Sequence, residues 1–305
     1  MSDFREKPSG LHGQVAGKTA LCTVGKSGSG LTYRGYDVKE LAQRCEFEEV
    51  AHLLLKGELP NKRELQEYKT KLKRLRLLPA ALKDVLEKIP ASAHPMDVLR
   101  TGVSMLGSLE PETDAAEQGE KSDRLLALLP AICCYWYRYS HDGVRINTET
   151  QSDSVGGHFL EMLMGKQAKP LHAAAMNVSL ILYAEHEFNA STFTARVCAS
   201  TLSDIHSCIT GAIGTLRGPL HGGANEAAMD MIKNWSTPEQ AEAELLAMLE
   251  RKEKVMGFGH AVYDTFDPRN LVIKEWSRKL AKEVGDSVLF PVSERCEAVM
   301  WREKE

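Results

Sequence analysis

The sequence predicts a nearly all-α, mainly helical protein with one small β element near its N-terminus. Apolar residues recur at helical spacing over most of the chain. Helix-start signals stand directly before several of those stretches. Strand signals are confined to two short, glycine-bounded runs.

Those two runs come first, at Ala20–Val24 and Gly30–Tyr36, and suggest a small hairpin or sheet. Asp37 then suits the cap of a helix carrying Val38, Leu41, Val50, Leu53 and Leu54, with Gly57 and Pro60 ending it. Asn61 with Glu64 three residues on reads as a capping box for a helix running to Leu78 and Pro79. Pro95 fits the first helical position before Met96–Leu106. Glu110–Ser122 is acidic, small and polar, the composition of an exposed loop. Long helical patterns follow at Arg124–Tyr139, Ser154–Met164, Leu171–His186 and Thr192–Leu216. Thr237, Pro238 and Gln240 supply a cap, an N1 proline and an N3 partner for a helix over Glu239–Lys252. Many of these stretches are apolar well beyond one stripe and are expected to be buried.

At 305 residues the chain fits one large or two unequal domains. A net charge of −4 argues against a nucleic-acid-binding surface. Residues 1–10 are charged and lack the apolar centre of a signal peptide. The most apolar run, Leu125–Tyr137, is too short for a bilayer and contains Pro130, so no membrane association is expected. The seven cysteines form no C-x-x-C pair, which suggests reduced thiols in a cytoplasmic protein.

Three familiar patterns fail on inspection. Gly13–Thr19 has three residues where a phosphate loop needs four. Gly25, Gly28 and Gly30 precede no helix start, so they read as a tight turn between the two strand runs. His186-Glu187 opens like a zinc-protease helix, but Ala190 stands where the second histidine would be.

Three other segments carry chemistry. In the first, Gly218–Glu226, glycines and a proline flank His221, and a helix over Ala224–Lys233 follows. A helix start disfavours a second proton on the ring, and a neutral imidazole there can donate to a developing enolate oxygen. The same residue could simply cap a turn. In the second, Val255–Tyr263, two glycines lead into His260, and Arg269 follows on a proline-fixed turn suited to gripping a carboxylate. Taken alone, Arg269 could equally be a surface ion-pair residue. The third, Ala184–Ser191, places His186 where one helical pattern ends, a position also typical of a cap.

Read in order, HEFNAS (186–191), GPLHGGAN (218–225) and GFGHAVYDTFDPR (257–269) resemble the fingerprint of the citrate synthase family. The asparagine of the first motif comes one residue earlier than in the family pattern. The resemblance runs from about Gly10 to Glu305. Residues 10–38, 68–72 and 94–106 resemble in particular the members that use propionyl-CoA.

The resemblance implies a mostly helical homodimer, its partners oxaloacetate and an acyl-CoA. The large domain would span 1–221 and the small domain 222–305. His221 would donate to the thioester oxygen and stabilise the enol, and His260 would polarise the oxaloacetate ketone. His186 and Arg269 would bind oxaloacetate, with Tyr68 as a further substrate-pocket candidate. The loop of Lys254, Val255, Met256, Gly257 and Phe258 would lie against CoA. CoA enters as a substrate thioester, so no separate cofactor and no metal is expected. The family's general base is an aspartate placed after the segment that here reads SERCEAVMWREKE, and two further substrate arginines follow it. A chain ending at Glu305 is therefore expected to condense little. Acetyl-CoA use and a catalytically silent fragment are the alternatives within this reading. A metal hydrolase would instead need His186, His221 and His260 to converge on an ion.

Overall fold

A two-residue turn at Arg34 and Gly35, both in the left-handed region at φ 46° and 91°, folds the N-terminal segment back on itself. Such a turn matches the twist of paired strands. It joins β2 (Leu31–Tyr33) to β3 (Tyr36–Asp37), and β2 also pairs antiparallel with β1 (Cys22–Val24). The sheet order is β1-β2-β3, with Thr23 opposite Thr32 and Tyr33 opposite Tyr36. The computed structural model describes residues 16–25, 30–258, 263 and 266–304.

The expected mainly helical fold with a small N-terminal sheet is what the structure has. The helices are α1 (Val38–Arg44), α2 (Phe47–Lys56), α3 (Lys62–Arg74), α4 (Ala80–Leu86), α5 (Pro95–Leu109), α6 (Gln118–Asp142) and α7 (Val155–Met164). There follow α8 (Pro170–Leu182), α9 (Ala190–Ala199), α10 (Ile205–Leu216), α11 (Gly223–Ile232), α12 (Pro238–Glu250), α13 (Pro268–Val284) and α14 (Leu289–Lys304).

The expected caps are in place. Asp37 accepts from the Lys39 and Glu40 amides, Asn61 and Glu64 form a reciprocal box, and Thr237 accepts from Gln240.

Several boundaries differ from the sequence expectation. The stretch over 38–56 is two helices, because Glu46 and Glu49 start a new capping box straight after the first ends at Cys45. The helix expected to reach Leu78 stops at Arg74. The loop expected over 110–122 ends at Glu117, since the polar residues after it are helix formers that begin α6. The pattern over 192–216 breaks at Leu202, left-handed at φ 62°, and Asp204 then caps α10.

Three apolar cores result. The first packs the sheet, α1, α2 and α8, with Tyr68 and Leu72 of α3 and Ala127 of α6. The second gathers α4, α5 and the rest of buried α6, including Leu128, Ile132 and Trp136. The third holds Trp235, Ala241, Leu245 and Val255 against Val292, Cys296 and Val299 of α14. α13 runs between residues of this third core in sequence, yet its Val272, Ile273 and Trp276 pack on the first. Among the described residues no helix is long and apolar enough to cross a membrane.

Tyr68 belongs to the first core, only 5% exposed. Its hydroxyl donates to Asp123 Oδ1 at 2.9 Å, and Asp123 also accepts from Lys71 Nζ at 2.7 Å. The hydroxyl sequence reasoning offered to the substrate is thus committed to a buried carboxylate, and the side chain reads here as structural. Tyr68→Phe should cost about 1.5–3 kcal/mol, the range for a hydrogen bond to a charged group. Chemical denaturation of the two proteins measures this.

Candidate active site

The end of α8 is held by the sheet. Tyr33 Oη donates to the carbonyls of Ile181 (2.9 Å) and Leu182 (3.3 Å), two of the acceptors a helix leaves open at its C-terminus. The chain then leaves the helix, which is why the expected helix to His186 stops at Leu182. Glu187 adopts the left-handed region at φ 53°, and its Oε1 accepts from the Val24 amide at 3.2 Å. His186 is therefore carried on a turn pinned to β1 and β2, with no helix around it.

His186 Nε2 lies 3.0 Å from Tyr263 Oη, and the two rings meet edge to face at 5.5 Å between centroids. Burial, then the nearby Asp267 charge, push the Tyr263 hydroxyl up to about 12, so it is a neutral phenol at physiological pH. Tyr263 was inside the third motif but had no role in the sequence reading. A hydroxyl near a histidine is visible only once the two segments are folded together.

Arg269 sits in the first turn of α13. The proline-fixed turn expected there is a helix start, with Asp267 as its cap and Pro268 at N1. Asp267 accepts the Arg269 backbone N–H at 3.0 Å and grips the guanidinium twice, at 2.9 Å from Nε and 2.6 Å from Nη2. The cap thus also aims the arginine. The buried Cys22 and Tyr33 and the half-buried Tyr263 all lie within its electrostatic reach. Arg269 is consequently an interior cation beside the His186 turn.

His221 lies between α10 and α11 on a loop fastened by its own backbone. The Gly222 amide donates to the Leu216 carbonyl at 3.0 Å, and the Gly223 amide to Gly218 at 3.2 Å. Gly222 has no alternative here. A Cβ on it would stand 2.5 Å from that same Leu216 oxygen, far inside contact distance. Gly222→Ala should therefore displace the loop at a cost of about 1–3 kcal/mol, read as a lowered midpoint in chemical denaturation.

Burial lowers the His221 pKa from its ordinary value, so the ring stays neutral where an exposed histidine would charge. The start of α11 two residues on acts in the same direction. Its Nε2 lies 2.9 Å from Ser191 Oγ, which is also 2.8 Å from Asn189 Oδ1. Ser191 has one proton to give, and the amide oxygen of Asn189 can only accept it, so Ser191 Oγ accepts from His221 Nε2–H and Nδ1 of the neutral imidazole carries no proton. Asn189 also caps α9, accepting from Thr192 at 3.0 Å, so one residue both starts the helix and sets the serine. Ser191 and Asn189 were part of the quoted motif without an assigned role.

The segment 254–258 lies against α11, since a Cβ on Gly257 would meet Ala228 Cβ at 3.1 Å. Lys254 and Gly257 are exposed, Met256 and Phe258 half-buried, and Val255 is buried in the third core. Val255 thus anchors the loop and can offer a ligand only its backbone. His260 lies outside the described residues. The structure thus gathers His186, Tyr263 and Arg269 in one place, and ties His221 to the same 186–191 turn through Ser191.

Residues 10–305 match the citrate synthase C-terminal domain. The chain is 65% identical to a 2-methylcitrate synthase of Shewanella oneidensis over 306 residues, covering 100% of this chain and 82% of that protein. It is 41% identical to citrate synthase 2 of Bacillus subtilis, covering 97% and 80%. A citrate synthase of Thermoplasma acidophilum, solved with carboxymethyl coenzyme A and oxaloacetate, superposes with a TM-score of 0.90 at 29% identity, over 96% of this chain and 78% of that one. The chain belongs to the citrate synthase family.

Proposed function

We propose that this chain forms the core of a 2-methylcitrate synthase, an acyltransferase that joins the α-carbon of propionyl-CoA to the ketone carbon of oxaloacetate and releases CoA after thioester hydrolysis. The observation that carries the choice of acyl group is the 65% identity to the Shewanella protein over the whole chain. The geometry supports the chemistry. A neutral His221 carries one N–H, shared with Ser191 in this structure, which it would turn to the thioester oxygen as the enol forms, and such donors are worth the most where charge develops. Arg269 and His186 both lie near Tyr263, an arrangement suited to a dicarboxylate keto acid. His260 would polarise the ketone.

We further propose a homodimer and a two-domain closure that excludes water from the enol. The separate third core, built from residues 231–258 and α14, supports a small domain that moves, although α13 packs on the first core, and an α9 with no buried residue supports an interface on that side. All seven cysteines are free thiols, in keeping with a cytoplasmic setting.

The test uses the chain extended past Glu305 with the C-terminal segment of the Shewanella relative. One methylene in an apolar pocket is worth about 1–3 kcal/mol, or roughly 10- to 200-fold. kcat/KM, followed by thiol release, should favour propionyl-CoA over acetyl-CoA by at least the lower figure. An equal or reversed preference would assign the chain to acetyl-CoA.

A further inference from the structure

The loop that carries His221 is held from one side by the start of α5. His94 caps that helix, its Nδ1 accepting the Met96 amide at 3.1 Å. A ring nitrogen that accepts from a backbone N–H holds no proton, so in the neutral ring the proton is on Nε2. Nε2 lies 2.9 Å from Glu226 Oε2, in the first turn of α11. The cap therefore dictates that His94 donates to Glu226. One turn further along α5, Asp97 stands 3.7 Å from Arg217 Nε and 3.1 Å from Arg100. Arg217 opens the loop at whose other end Glu226 stands, with His221 between them. Tyr183, just past α8, accepts from Asn225 Nδ2 at 3.0 Å. α5 is built into the second core through Val98, Val103 and Leu106. Side chains on both flanks of the His221 loop thus meet a rigid helix, Glu226 by a hydrogen bond and Arg217 by an ion pair.

We infer that His94 and Asp97 are positioning residues, a two-point clamp that sets the placement of the His221 ring through Glu226 and Arg217. His94 has no place in the substrate-binding set and acts at a distance, through the first turn of α11. The inference deepens the reading of His221 given above and rests on it. Its test reads where the ring is held, independent of turnover, so its failure is distinguishable from failure of that reading.

The experiment is NMR of the ring nitrogens in the 305-residue chain labelled with ¹⁵N-histidine, His221 being assigned by its loss in His221→Ala. Glu226→Ala removes the link and leaves the α5 cap intact, and Glu226→Gln keeps an acceptor for the His94 proton. Asp97→Ala breaks the second point independently. The expected result is one dominant His221 tautomer in the unsubstituted chain and a measurable mixture in Glu226→Ala and Asp97→Ala, with the thermal midpoint little changed. Glu226→Gln should restore the single form. An unaltered His221 signal in both alanine variants would overturn the inference, as would a Glu226→Gln chain indistinguishable from Glu226→Ala.

Discussion

Replacing His221 by alanine, in the chain extended with the Shewanella C-terminal segment, should lower kcat by roughly 10²–10³-fold and leave oxaloacetate affinity little changed. The magnitude is that of a single donor removed from an oxyanion. The asymmetry follows from the structure. His221 hangs on the α10–α11 loop and meets the 186–191 turn through Ser191, whereas His186 and Arg269 form their own cluster with Tyr263 and Asp267. Taking the imidazole away removes an interaction made as the enol appears and leaves the keto-acid groups where they were. Steady-state thiol release and oxaloacetate titration calorimetry on the same preparation separate the two effects. The lowered pKa adds a sign. Protonation would charge the ring that is to act as a neutral donor, and burial moves that step below the ordinary histidine range. Activity limited by His221 should hold as pH falls through 6.5, the ordinary value, and drop only below it.

Arg269→Ala should do the reverse. Removing the charged partner of a bound carboxylate costs about 2–5 kcal/mol, or roughly 30-fold and upward in affinity. Here the loss is compounded. Asp267 would keep its carboxylate with the guanidinium gone, next to the proposed oxaloacetate site. Oxaloacetate affinity measured by calorimetry should weaken by at least that factor. Arg269→Lys should recover only part, because one ammonium cannot reproduce the two-pronged contact with Asp267 and reach a substrate carboxylate as well.

Much of the scaffold was legible because caps are local. The boxes at Asn61–Glu64 and Thr237–Gln240 depend on residues within one turn, and sequence spacing shows them directly. The breaks at Cys45 and Leu202 were not legible, since apolar residues keep helical spacing on both sides of each and the interruption lies in the backbone. The histidine motifs were visible for the opposite reason: glycine and proline crowd around them to serve backbone geometry, as the Leu216 oxygen beside Gly222 shows. Their partners were not. Ser191 with His221, Tyr263 with His186 and Glu226 with His94 are 30, 77 and 132 residues apart. Tyr68 misled because a tyrosine inside a resembling segment looks the same in sequence whether its hydroxyl faces substrate or a buried carboxylate such as Asp123.

The central claim is carbon–carbon bond formation between propionyl-CoA and oxaloacetate. Mass spectrometry of the product, run together with thiol release by the extended chain, addresses it most directly. The account predicts that CoA release requires oxaloacetate and yields one 2-methylcitrate per thiol. Thiol release at the same rate without oxaloacetate, with free propionate as the acyl product, would contradict it.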